Sequence, residues 1–299
     1  MSWIPTATLF AMMLALGMTL RPLDFRRIAT APAAVLLGML GQLVLLPVAA
    51  FAIARWLALS PTLAIGLVLI AACPGGVVSN ALAQLARGDL ALSITLTSLS
   101  SGVSFLSVPF VLSLALDAFG GEQRRIALSF PEMAATLFGT TVLPVLIGMA
   151  FLRYRPAAAE RLYRPLLNVS TGVLMLMIFG LFVSLWRSSG ELSMMQLVRD
   201  GTPAVVALIA STMAAGAIGA RILGLDAAIA RTITLEIGVQ NVNLALVVAS
   251  LLGEQRYAGA AVLYLPAMFG FASGVIALGR RAEARGAVGL RRWTRRARR

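Results

Sequence analysis

This sequence predicts an all-α membrane protein, and three observations carry that prediction. The chain is 59% hydrophobic with only 12% charged residues, about half the charged fraction of a soluble domain. Its apolar residues come in long runs rather than in alternation, which favours spanning helices. Two of those runs are interrupted mid-way by glycine together with amide or hydroxyl side chains: Cys73-Pro74-Gly75-Gly76-Val77-Val78-Ser79-Asn80 and Glu236-Ile237-Gly238-Val239-Gln240-Asn241-Val242-Asn243. Backbone opened inside lipid is tolerated only where it is buried in protein or lines a watery cavity. A pair of such breaks in corresponding positions points to the ion and substrate site of a transporter.

About nine segments reach the roughly 20 residues a bilayer requires: 3–20, 31–53, 60–84, 89–115, 127–151, 166–186, 202–221, 228–252 and 256–279. The first is apolar, but its basic residues, Arg21, Arg26 and Arg27, follow it rather than precede it. That reverses the charge order of a secretory signal, so it reads as a retained helix with its N-terminus outside. The second carries a lone amide, Gln42, whose role the sequence leaves open, and Gly38 and Gly41, which suit close helix packing. The third holds the first break. The fourth places Ser93 and Thr97 four residues apart on one helical face, roughly continued by Ser100, Ser101 and Ser104. Such a hydroxyl stripe serves helix packing or, beside the breaks, ion ligation. The fifth opens with Ser129 and Glu132 at capping-box spacing, with Pro131 between them. The polar interruptions near 153–165 and 187–200 read as ordinary loops around the sixth segment. The eighth holds the second break, and the ninth leads into an arginine-rich tail.

The net charge is +13 and no lysine is present. The arginines sit in short loops and the tail, the pattern of topological orientation rather than of nucleic-acid binding. Starting outside places Arg21, Arg26, Arg27, Arg87, Arg153, Arg155, Arg161, Arg164, Arg221 and the tail from Arg280 on the inner side, where the tail meets anionic lipid. The outer Arg124, Arg125, Arg187 and Arg199 have Asp117, Glu122, Glu191 and Asp200 as neighbours. Absence of histidine excludes His-metal sites and Ser-His-Asp catalysis, and the one cysteine, Cys73, makes no intramolecular disulfide. No enzyme is expected.

Glu236 is the most informative side chain. A carboxylate deep in an apolar segment costs at least about 2.5–3.5 kcal/mol on insertion scales. A bound cation, a proton, or neutralisation against a neighbouring helix would offset that cost. Oxygen ligands for a hard cation lie close in sequence: Ser79 and Asn80 after the first break, Gln240 after the second. The breaks themselves read G-V-V-S-N-A-L and G-V-Q-N-V-N-L, in the third and eighth segments, which run in opposite directions; that is the signature of an inverted repeat.

The run C-P-G-G-V-V-S-N-A-L-A-Q-L-A-R-G-D-L-A-L-S-I-T-L-T-S-L-S-S from Cys73 to Ser101, and E-I-G-V-Q-N-V-N-L from Glu236 to Leu244, resemble the signature of the bile acid:sodium symporter family. Gly17-Met18-Thr19-Leu20 followed by Asp24-Phe25 resembles the family's early helix end. The resemblance extends over nearly the whole chain. It implies a core-plus-panel fold with two crossed discontinuous helices and two Na⁺ sites at the crossing. The first Na⁺ would use Ser79, Asn80, Ser93, Thr97 and Glu236. The second would use Gln42, Glu236 and Gln240 with the main-chain carbonyls of Ile237 and Val239. Asn241 would stand beside the substrate. The implied panel comprises 1–30 and 127–200, the core 31–126 and 201–280, and the basic cytoplasmic tail 281–299. The implied protein is a monomer in a bacterial plasma membrane, with Na⁺, an organic anion and the lipid bilayer as its partners.

Two departures accompany the resemblance. Bacterial members commonly have about ten helices, whereas this chain resembles the nine-helix arrangement of animal members, with a panel one helix shorter. Where some bacterial relatives carry a His-Asn pair near the substrate, this chain has Gly270-Phe271, and where they carry a Thr in the first break it has Val77. The cation ligands are kept while the substrate wall differs. The implied function is Na⁺-coupled import of a small or amphipathic organic anion, with bile acid itself not the expected substrate. Alternatives are a proton-coupled or exporting permease for a metalloid or organic anion, and a Na⁺-gated channel or sensor.

Overall fold

The computed structural model describes residues 3–120, 129–187 and 194–296, with side chains for all of these except 255 and 282–296. Among the described residues every regular element is helical. In chain order the helices are α1 (Trp3–Gly17), α2 (Pro32–Trp56), α3 (Pro61–Ala72), α4 (Val77–Leu85), α5 (Leu90–Phe119), α6 (Phe130–Tyr154), α7 (Pro156–Arg187), α8 (Met194–Ile222), α9 (Ala227–Gly238), α10 (Val242–Leu251) and α11 (Gly259–Arg296). Seven spans are long and apolar enough to cross a membrane, and two bent pairs bring the number to nine among the described residues. One bent pair is α1 with the short helical connector Pro22–Thr30, at 77°; the other is α3 with α4, at 68°. Each of the nine apolar segments expected from the sequence falls on one of these spans. The chain is an integral membrane protein.

Two expectations need correction. Residues 156–165 are not a loop: α7 begins at Pro156, directly after α6 ends at Tyr154. Proline suits the first helical turn, where its missing N–H would be unpaired anyway, so the polar stretch Glu160-Arg161 rides on an extended helix. Likewise 194–201 is helical and continues into α8. The charged neighbours Arg124, Arg125, Glu122 and Glu191 lie outside the described residues, as do the side chains of the tail beyond Arg281.

Three long helices share one device. α2, α6 and α8 each contain a five-residue π-helical turn, at Gly41–Leu45, Phe138–Val142 and Leu197–Gly201. In each case a proline, Pro47, Pro144 or Pro203, follows two residues later. A helical proline lacks the donor for the preceding turn and its ring crowds the carbonyl four residues back. Widening that turn absorbs the crowding and keeps the helix continuous.

α1 packs on α6, α7 and α10, and α6 packs on α7. α9 packs on α2, α4, α5 and α8, while α3 packs on α2, α5 and α11. The connector after α1 is tied to α5: Thr95 Oγ1 donates to the Asp24 carbonyl at 2.6 Å, and Arg27 pairs with Asp89 at 2.6 Å. Asp89 also caps α5, accepting from the Leu92 N–H at 3.0 Å. At the start of α6, Glu132 accepts from the Ser129 N–H at 2.8 Å, as the capping-box spacing predicts.

Candidate functional site: an oxygen cluster at two crossed helix breaks

The two breaks meet. The Asn241 N–H donates to the Cys73 carbonyl at 3.1 Å. α3 ends at Ala72 and α4 starts at Val77; α9 ends at Gly238 and α10 starts at Val242. Gly75 stands where a Cβ would come within 2.9 Å of the Val239 carbonyl oxygen, so the crossing requires glycine there. On the far side of the second break, Ile237 inserts its Cδ1 where a Cβ on Gly41 would lie, 2.2 Å away. The breaks are thus held by backbone bonding and close packing, and both segments are buried.

Every residue expected at the first cation site converges here. Ser79 and Asn80 come from the first two turns of α4, Ser93 and Thr97 from α5, and Glu236 from the last turn of α9; all are buried, Glu236 at 0% exposure. Ser93 Oγ donates to Asn80 Oδ1 at 2.8 Å and lies against Glu236 Oε1. Thr97 Oγ1 is 3.1 Å from Glu236 Oε2, 3.2 Å from Asn80 Oδ1 and 3.2 Å from Ser79 Oγ. The Ser79 hydroxyl hydrogen has an outlet away from the cluster, to the Gly76 carbonyl at 2.8 Å. Each hydroxyl has one hydrogen to give. The carboxylate oxygens, the amide oxygen and the hydroxyl lone pairs therefore outnumber the hydrogens pointing among them. An oxygen-rich, hydrogen-poor cluster around one carboxylate is chemically complementary to a hard cation.

Gln42 and Gln240 join the same carboxylate and break. Gln42 Nε2 donates to the Glu236 carbonyl at 2.8 Å and to Glu236 Oε2 at 3.2 Å. Gln240 Nε2 donates to the Ile237 carbonyl at 2.8 Å. Both amides are buried, and Oε1 of each has no hydrogen-bonding partner among the described residues. Buried polar atoms are normally paired, and an unpaired one calls for a physical reason. Two amide oxygens are thus left over, one on Gln240 in the second break and one on Gln42, whose amide nitrogen bonds the Glu236 carbonyl. Gln42 is on the π turn of α2, a geometry recurrent at functional sites. Among the described residues no three His, Cys, Asp or Glu side chains gather. The cluster carries one charged ligand, which suits a monovalent ion better than a divalent one.

The expected substrate-side residues are less tightly grouped. Asn241 is 9% exposed; its Oδ1 caps α10, accepting from the Leu244 N–H at 3.1 Å. Its Nδ2 would be 3.3 Å from a Cβ on Gly76, so the amide nitrogen points across to the start of α4. Val77, the first residue of α4, is half-buried. The N-termini of α4 and α10 come together at this point, where Asn241 Nδ2 lies beside Gly76, and the positive ends of two helix dipoles favour an anion. On α11, Phe271 is half-buried against the main apolar core, whereas Gly270 is exposed with open space beside it.

One residue at the break has no counterpart in the sequence expectations. Tyr264 of α11, fully buried, donates from Oη to the Gly238 carbonyl at 3.0 Å. It satisfies a carbonyl that the end of α9 leaves open. A tyrosine in an apolar helix is ordinary by sequence; only the third dimension brings it to the break.

A family model described as the Sodium Bile acid symporter family matches residues 6–189. Curated relatives include a probable sodium/metabolite cotransporter, BASS1, of Arabidopsis thaliana chloroplasts, 30% identical over 241 residues, 80% of this chain and 57% of that protein. The human sodium/bile acid cotransporter 4 is 30% identical over 264 residues, 86% of this chain and 58% of that protein. An uncharacterized sodium-dependent transporter of Bacillus subtilis, YocS, is 26% identical over 256 residues, 83% of this chain and 75% of that protein. The chain spans a little over half the length of the plant and human relatives. By its family match and its all-helical membrane fold, this chain belongs to the sodium bile acid symporter family, a family of transporters and not of enzymes.

Proposed function

We propose that this protein is a Na⁺-coupled symporter that imports a small or amphipathic organic anion by alternating access. The observation that carries the reading is the shared carboxylate. Glu236 contacts ligands from α2 and α5 at one crossing of two broken helices, with unpaired amide oxygens beside it. In this reading one Na⁺ takes Ser79, Asn80, Ser93, Thr97 and Glu236. A second takes Gln42, Glu236 and Gln240 with the carbonyls of Ile237 and Val239. Each ion neutralises oxygen that lipid would otherwise leave uncompensated. Bound Na⁺ ties both breaks to α5 and α2 and orders the N-termini of α4 and α10. Those termini then receive the anion between Asn241 and Val77, with Gly270 and Phe271 shaping the wall.

The moving bodies are a panel of 1–30 and 127–200 and a core of 31–126 and 201–280, the two halves of the core forming an inverted repeat. The packing of α1, α6 and α7 on one another supports that division. The tail, 281–299, and the arginines of the connector and short loops set the C-terminus inside and the N-terminus outside a plasma membrane. Two Na⁺ with one monoanion move one net charge, worth about 2.3 kcal/mol per 100 mV. A thermal-shift screen of carboxylates and sulfonates tests the coupling. A transported anion should stabilise the protein in Na⁺ and much less in K⁺. Equal stabilisation in both salts would count against Na⁺ coupling.

A further inference from the structure

We infer that this protein holds one dianionic phospholipid of the cardiolipin type in two adjoining basic grooves, where α6 passes into α7. This goes beyond the transport reading and uses none of its cation or substrate residues. The first groove, of about 540 Å³, lies between the chain leaving α1 and the end of α6. Leu20, Leu23, Met149 and Leu152 are its apolar wall, and Arg21 and Arg153 line it as well. The second, of about 520 Å³, lies around the α6–α7 junction, with Tyr154 and Leu162 as apolar wall and Arg155 and Arg161 as its charges. Pro156, the first residue of α7, lines both, so the grooves adjoin. Arg153 and Arg155 stand two residues apart across the interruption between the helices, one lining each groove.

These four arginines lack the partners that neighbouring arginines have. Arg27 pairs with Asp89 at 2.6 Å, and Arg164 Nε donates to the Tyr163 hydroxyl at 2.9 Å. Among the described residues, Arg21, Arg153, Arg155 and Arg161 have no carboxylate within ion-pair distance, and no acidic residue lines either groove. Asp24 accepts from the Arg21 backbone N–H, at 2.7 Å, rather than from its guanidinium. Guanidinium groups without counter-charge attract an anion, and their planar forks suit phosphate. The apolar walls make that anion a lipid. Leu23, Tyr154 and Leu162 are 68%, 74% and 50% exposed, and Met149 lies about 6 Å deeper in its span than Arg153. A soluble phosphate would leave this apolar surface bare, whereas acyl chains cover it while the headgroup meets the arginines. Two grooves of similar volume, each with two arginines and joined at one residue, match a lipid whose two phosphates are linked by one glycerol. The arginine-rich tail carries the same sign as the grooves and is repelled by them, as is the same face of a second copy.

The test uses the full-length protein, delipidated in mild detergent, with tetraoleoyl cardiolipin, dioleoyl phosphatidylglycerol, dioleoyl phosphatidylcholine and inorganic pyrophosphate as probes. Cardiolipin should raise the unfolding midpoint by about 3 °C or more, and native mass spectrometry should find one cardiolipin retained per chain. Phosphatidylglycerol at equal phosphate should need about ten-fold more lipid for the same shift, because its phosphates are not linked. Phosphatidylcholine and pyrophosphate should give no shift. Arg21→Gln with Arg153→Gln, and Arg155→Gln with Arg161→Gln, should each weaken cardiolipin binding about ten-fold. The lipid-free midpoint should hold in both, since none of the four arginines has an ion pair to lose. Arg26→Gln with Arg221→Gln removes the same charge from outside the grooves and should stay within about two-fold of wild type. Equal response to phosphatidylglycerol and cardiolipin would mean independent single phosphates, and equal response to pyrophosphate would mean a free-anion site; either overturns the proposal. An equal loss in the Arg26 and Arg221 pair would reduce the effect to surface charge and overturn it too. The lipid series is read on the wild type alone, so it decides the matter even where a variant fails to fold.

Discussion

At Glu236 one carboxylate gathers two hydroxyls, a glutamine amide and the start of an unwound segment, all out of contact with water. That concentration sets the sharpest expectations. Ser93→Ala and Thr97→Ala each remove one neutral oxygen of the cluster. Each should raise the Na⁺ concentration for half-maximal stabilisation or uptake about ten-fold, the equivalent of roughly 1.4 kcal/mol. Gln42→Leu removes one unpaired buried oxygen and a donor to Glu236. It should flatten the cooperativity of Na⁺ activation toward a single-ion curve, which a Na⁺ titration of uptake measures. Glu236, Ser79, Asn80 and Gln240 were legible in the sequence because polar residues in the middle of apolar segments are costly and so informative. Gln42 was not legible that way: a single amide in an apolar segment has no partner until the fold supplies one 194 residues away. Tyr264 was less legible still, since an apolar helix accepts tyrosine for packing alone.

Each element around the site is shaped by a few small or restrictive residues. Gly75 allows the two breaks to cross, and Gly41 gives Ile237 its seat. Gly75→Val and Gly41→Leu both force side chain into filled space. Each should cost about 1–3 kcal/mol or more of stability, seen as a lower unfolding midpoint in detergent. Pro47→Ala should behave differently. It restores a donor to the turn that now widens at Gly41–Leu45, which favours a regular α-helix and rotates Gln42 away from Glu236. Stability should hold or rise while Na⁺ affinity falls, a divergence that thermal unfolding and Na⁺ titration on one sample detect. The spans and the breaks were readable from hydropathy and from glycine with polar neighbours. The π turns were not, although each precedes a proline, because proline within a helix is equally compatible with a kink. Nor were the helical stretches 156–165 and 194–201, where polar composition resembles a loop while proline placement and packing keep the chain helical.

Across the whole molecule the arginines and the helix count make one statement about orientation. If each bent pair is one span, the nine spans among the described residues put the two ends on opposite sides, and the proposed orientation turns the arginine-rich span ends to the cytoplasm. A fluorescent protein fused to the C-terminus should therefore fold and fluoresce, and alkaline phosphatase fused there should be inactive; the reverse pair of results would invert the topology. The connector Pro22–Thr30 matters at the same scale. Its bonds to α5 through Thr95 and through Arg27–Asp89 fasten the stretch of chain leaving α1 to the helix that carries the proposed ligands Ser93 and Thr97. None of that is visible in sequence, where Arg27 reads only as one more orienting charge.

The central claim is that Glu236 couples Na⁺ to transport. Its most direct test is uptake of a labelled anion, identified by the thermal-shift screen, into proteoliposomes under an imposed Na⁺ gradient, for wild type and Glu236→Gln. Wild-type vesicles should accumulate the anion only when Na⁺ is higher outside. The variant should insert normally and lose at least about 99% of that uptake, the loss of about 2.7 kcal/mol or more of coupling. Accumulation driven equally well by a pH gradient without Na⁺, or wild-type Na⁺ dependence in the variant, would contradict the account.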